Sequence, residues 1–147
     1  MATITQARTV RATPGEVWRL ISDPWRLPAW WPGVQRVEEA TETSWTSVLA
    51  SPRGKTVRAD YTLVDSQPEE RLVWRHEVEE SPFERILSES LTEIGLEPED
   101  GSTKVRLEAH MKLRGYARFG SFQVRRAARR QLTAALDGIE AALGGGD

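Results

Sequence analysis

The 147-residue sequence predicts an α+β domain in which an antiparallel sheet carries one long helix across its face. Three observations carry that expectation. Consecutive strand-like runs are joined by connections of only a few residues, which makes sequence neighbours antiparallel. In the last run Val105, Leu107, Ala109, Met111 and Leu113 alternate with Lys104, Arg106, Glu108, His110 and Lys112, so one face is dry and the other wet. The C-terminal segment then repeats Leu132, Leu136, Ile139 and Leu143 at helical spacing, with Ala128 and Ala135 close to the stripe, and supplies the cover that a one-sided sheet needs.

The elements follow in order. A strand of mixed polarity is expected over 3–11, ending at a helix cap. Thr13 is placed to accept from the amide of Glu16 while Glu16 reaches back to that of Thr13, and Pro14 sits where its missing N–H costs nothing. Asp23-Pro24 repeats the device for a second short helix. Trp30-Trp31 and the break Pro32-Gly33 then form an aromatic corner that feeds the sheet. Six strands are expected at 34–40, 43–50, 55–65, 71–79, 85–97 and 103–114, separated by turn-forming clusters such as Ser51-Pro52-Arg53-Gly54 and Glu99-Asp100-Gly101-Ser102. One domain over 1–143 is expected, with a glycine-rich tail at 144–147.

A chain of this length buries roughly 68 to 70% of the surface its unfolded form exposes, enough for a core and one internal cavity. With a formal charge of −2, nothing global favours nucleic acid or an anionic membrane as a partner. The absence of cysteine removes disulfides and thiolate chemistry. No basic, apolar leader and no run of 18 apolar residues is present, so no stable membrane insertion and a cytoplasmic location are expected.

The element order, with Ala12-Thr13-Pro14-Gly15-Glu16-Val17-Trp18, Ile21-Ser22-Asp23-Pro24, Trp30-Trp31-Pro32-Gly33-Val34 and the final amphipathic helix, resembles the START-like (SRPBCC) superfamily, in particular its bacterial polyketide cyclase/dehydrase and lipid-transport branch. The resemblance spans essentially the whole chain. It implies a helix-grip fold, a curved seven-stranded sheet wrapped around the long helix with a hydrophobic cavity between them. Similar proteins include lipid carriers, hormone receptors, aromatase/cyclases, chaperone co-activators and ribosome-associated factors, so the fold does not choose the function.

Two residues are candidates for chemistry. His76 shares a face with Leu72, Trp74 and Val78 and so points toward the cavity, either as a general acid or base or as a core histidine tied by one hydrogen bond. Arg125 projects within about 20° of the Leu132 and Ile139 direction at 100° per residue, and so interrupts the apolar stripe. Its charge is expected to meet a sheet carboxylate such as Glu89 or Glu93, or an anionic ligand group in the cavity. Arg125 and Arg129, like Arg126 and Arg130, are like-charged pairs at i,i+4 in the half of the helix where the macrodipole disfavours cations. This cluster lacks interleaved aromatics and does not read as a nucleic-acid site.

Trp45, Tyr61, Trp74 and Met111 are expected as pocket lining, with Phe83, Phe119 and Phe122 at its mouth; each is equally suited to ordinary core. His110 alternates outward. Histidines on opposite faces without cysteine make no metal site, and isolated Gly115 and Gly120 make no phosphate loop, so neither metal nor cofactor is expected. The leading expectation is therefore a non-covalent binder of a small hydrophobic, lipid-like or polycyclic molecule. A cyclase or dehydratase using His76 with Arg125 is the first alternative, and a protein-interaction module the second.

Overall fold

The structure, a computed structural model, describes residues 2–51, 53–79, 81, 83–115 and 121–144. Its elements are β1 (Ala2–Val10), α1 (Pro14–Ile21), a 3-10 turn (Pro24–Arg26), α2 (Leu27–Trp30), β2 (Val34–Glu38), β3 (Ser44–Ala50), β4 (Thr56–Gln67), β5 (Arg71–His76), β6 (Leu87–Glu99), β7 (Ser102–Leu113) and α3 (Ser121–Ala142). All seven strands form one antiparallel sheet in the order β1-β7-β6-β5-β4-β3-β2. This is the α+β helix-grip architecture, with α1, α2 and α3 covering one face.

Local chemistry sets the joints. At α1 the Glu16 amide donates to Thr13 Oγ1 at 3.2 Å and the Thr13 amide donates to Glu16 Oε1 at 3.2 Å, a reciprocal capping box. Asp23 Oδ1 accepts from the Trp25 amide at 3.0 Å. The second short helix is not continuous: Pro24–Arg26 is a 3-10 turn and the α-helical turn restarts at Leu27. Pro28 has no N–H to extend a ladder begun at Pro24, and it is tolerated only in the first turn of the new helix. Asp100 and Gly101, both at positive φ, close the two-residue turn between Glu99 and Ser102 that joins β6 to β7.

Strand boundaries fall within three residues of those expected. The largest difference is β5, which ends at His76; Ser81 Oγ then donates back to the Val78 carbonyl at 2.6 Å. Register shifts at Val34/Arg36, Leu63/Asp65 and Leu87/Glu89 insert bulges into three strands, and bulges bend the sheet around its cover.

The core lies between the concave face and the helices. Ile94, Val105 and Leu107 from the sheet meet Val17 and Leu20 of α1 and Leu132, Ala135, Leu136 and Ile139 of α3, all essentially without exposure. α3 leans on β1 and α2. Its approach to α2 depends on Gly138, whose absent Cβ would lie 2.2 Å from the Trp30 carbonyl oxygen. At the edge, Arg8 of β1 bridges Asp137 at 2.5 Å and Glu140 at 2.8 Å.

Candidate functional site

Alternation along β5 puts Leu72, Trp74 and His76 on the concave face, and the antiparallel register then builds a row of rings across three strands. Trp45 pairs with Tyr61, and Tyr61 with His76. The Trp45 and Tyr61 rings stack at 5.7 Å, and Tyr61 and His76 at 4.9 Å. Phe83 meets His76 edge-on at 4.7 Å. It is held there by the turn after β5, where the Phe83 amide donates to Ser81 Oγ at 3.2 Å.

At the other end Trp45 meets Trp74 edge-on at 5.7 Å, and Trp74 meets Trp31 at 5.5 Å and Trp30 at 6.3 Å. Seven rings from the tryptophan corner to Phe83 are thereby linked by contacts suited to aromatic pairs.

The row has unusual polarity. Trp30 Nε1, Trp45 Nε1 and His76 Nε2 are buried and have no hydrogen-bond partner among the described residues. Buried polar atoms are nearly always paired, because an unpaired one forfeits its hydration. Burial also shifts ionisation. It lowers the pKa of His76, against weaker opposing effects of Asp60 and Glu77, and it pushes the Tyr61 phenol up to about 12. Near neutrality the row is therefore uncharged: flat, mostly apolar ring surface in which two of the four indole donors and one imidazole nitrogen lack a described partner. Among the described residues, two openings meet it. One of about 110 Å³ is bounded by Trp45, Trp74, Leu63 and Leu72 with the 3-10 turn, and one of about 230 Å³ by His76, Val78 and Ser88 with Arg75, Glu77 and Glu89.

The other expected site residues lie elsewhere or apart. Met111 is buried on β7, opposite Ala2 and Ser90. Phe119 is outside the described residues. Phe122 is 71% exposed at the start of α3. Arg125 corrects the sequence reading: it is exposed, and no described carboxylate forms an ion pair with it.

Glu93 is taken instead by Arg71 at 3.1 Å and lies 3.7 Å from His110. In the first turns of α3 the partly buried Val124 and the buried Ala128 hold the core side, so Arg125 turns outward into a groove shared with Gln6 of β1. His76 and Arg125 thus do not share a site. On the convex face Glu93, Glu108 and His110 bring ligand atoms within 4.8 Å of one another, but Arg71 and the imidazole already face the two carboxylates.

Comparison with known proteins adds the family. A model for polyketide cyclase/dehydrase and lipid transport proteins matches residues 1–144. The chain belongs to this family. None of the curated proteins matches it. Among solved structures it is similar to a protein of Thermus thermophilus (20% identity, 99% of both chains, TM-score 0.79). It is also similar to a START superfamily protein of Mycobacterium smegmatis (10%, 99% of both chains, 0.76). A third is a protein of Arthrobacter aurescens (17%, 97% of this chain and 86% of that one, 0.78). At such identities these likenesses speak for the fold, and the family is one of ligand-binding folds. No helix among the described residues is long and apolar enough to cross a membrane.

Trp30 and Trp31 are the residues that sequence reasoning favoured as scaffold over ligand contacts. Their adjacency and burial fit a corner, and nothing in the one-dimensional pattern shows that both rings close on Trp74 from a distant strand.

Proposed function

We propose that this family member binds a small hydrophobic molecule with a flat, aromatic or polycyclic body non-covalently against the aromatic row of the concave face. The observation that carries the reading is the set of three buried nitrogens, Trp30 Nε1, Trp45 Nε1 and His76 Nε2, which lack partners among the described residues in a lining made mostly of rings. A lining of rings rewards stacking, while isolated polar atoms in such a lining orient a ligand by one or two hydrogen bonds. Matching polar groups on the ligand repay the desolvation that these atoms have already incurred. The separation of His76 from Arg125 removes the pair on which cyclase chemistry would rest, and this favours binding over catalysis.

The test is a titration with 2-naphthol and with naphthalene, followed by tryptophan fluorescence, beside native mass spectrometry of the gently purified protein and extraction of co-purifying molecules. Tighter binding of 2-naphthol, reduced about tenfold or more in Trp45→Phe, is expected. Equal affinity for the two probes, or affinity untouched by Trp45→Phe and His76→Phe, would refute the reading.

A further inference from the structure

We infer that the groove between β1 and the first half of α3 is a docking site for an extended acidic peptide, added as an eighth strand on the free edge of β1. The groove measures about 710 Å³ and is lined by Gln6, Phe122, Arg125, Arg126, Arg129 and Arg130. None of these arginines forms an ion pair with a described residue. They crowd within two turns, repel one another at i,i+4 and stand in the half of the helix where its dipole opposes positive charge. Among the described residues, the groove therefore gathers a cation cluster without a matching set of carboxylates. The one carboxylate in the groove, Asp137, is committed to Arg8.

The adjoining strand is independently suited to pairing. β1 is one of the two sheet edges, nine residues long, and runs in unbroken register along β7 with no bulge and no proline. The opposite edge, β2, has five residues and a register shift. A long regular edge presents unpaired N–H and C=O groups, and an incoming segment can add to them.

Spacing matches charge to strand. Arg125 and Arg129, like Arg126 and Arg130, are separated by a rise of about 6 Å along the helix. Alternate residues of an extended strand lie about 6.8 Å apart. A segment with glutamate or aspartate at every second position thus faces successive arginines while its backbone pairs with β1, and exposed Phe122 offers apolar contact at one end. Charge complementarity on one side and backbone bonding on the other select an acidic polypeptide over a lipid or nucleic acid.

The experiment uses the full chain and an N-acetylated, fluorophore-labelled octapeptide of alternating glutamate and valine. Its partners are the lysine–valine counterpart and an acidic version with prolines replacing two valines. Anisotropy at low salt is expected to show binding of the first peptide alone, weakened at least tenfold in Arg125→Glu/Arg129→Glu. Hydrogen exchange should show new protection confined to β1 amides. Both positions are exposed and one like-charged i,i+4 pair merely replaces another, so the double variant is expected to fold with an unchanged Tm, which separates lost binding from lost structure. Equal binding of the proline peptide, unchanged protection of β1, or undiminished binding by the double variant overturns the proposal. So does equally tight binding of single-stranded DNA or of phosphatidylglycerol vesicles, which makes the groove a general polyanion surface.

Discussion

Gly138→Ala places one methyl group where the structure has least room. A Cβ at this position would lie 2.2 Å from the Trp30 carbonyl oxygen and 2.8 Å from both its carbonyl carbon and its Cα. Ordinary contact begins near 3.4 Å, so α3 and α2 must separate by about 1.2 Å, and the obstacle is backbone rather than a side chain able to swing away. Overpacking costs about 1–3 kcal/mol, occasionally more, and this contact belongs at the upper end. Alanine returns about 0.8–1.0 kcal/mol of helix propensity. The expected net loss is about 2 kcal/mol, or a fall of about 4–8 °C in Tm at this chain length. Thermal and urea unfolding followed by tryptophan fluorescence measures it, with Gly95→Ala as control because a methyl group there would meet no heavy atom within 4 Å. A Gly138→Ala protein as stable as the parent would refute the argument that α3 rests directly on the Trp30 backbone.

Two further outcomes follow from local chemistry. Because burial lowers the folded pKa of His76 below 6.5, the unfolded chain binds the proton more readily. The histidine's contribution to stability is complete above about pH 6.5 and is lost as pH falls toward the folded value, so urea midpoints should drop over that window and drop less in His76→Gln. An identical pH profile in the variant would contradict the assignment. Thr13→Ala removes the acceptor of the α1 capping box and should cost about 1 kcal/mol in urea unfolding, while Thr13→Ser, which keeps an acceptor, should cost less than half of that. Equal losses would show that the cap is energetically idle.

The fold was legible because its determinants are local or periodic. Thr13 and Glu16 are three residues apart, Asp100-Gly101 is a turn in itself, and β7 alternates without interruption from Thr103 to Leu107. Pro28 shows how far such reading extends: its effect on the second helix depends on which turn it occupies, and the boundary moved accordingly. The site was legible only by face. Period two placed His76 with Trp74, but the stacking of Trp45, Tyr61 and His76 needs the register of three strands, which the bulge at Leu63/Asp65 helps to set. Arg125 failed for a different reason. A projection at 100° per residue treats the whole of α3 as equally buried, whereas burial begins only around Val124 and Ala128 and deepens toward Ile139. Near the exposed end of a helix, an angular offset of a few tens of degrees is enough to carry a long side chain from core to surface.

The tryptophan corner joins these two levels. Trp30 is 2% exposed, and its backbone is the surface on which Gly138 lets α3 rest. Its ring meanwhile touches Trp31 and Trp74, and Trp74 touches Trp45, which carries one of the unpartnered donors. The distance between two helices therefore sets the position of one wall of the aromatic row. A change that pushes α3 away from α2 must either tilt Trp30 with its backbone or open a gap beside Trp74, and close-packed rings tolerate neither without loss of contact. Stability and ligand affinity should accordingly fall together in Gly138→Ala, although residue 138 itself touches no part of the row's exposed openings.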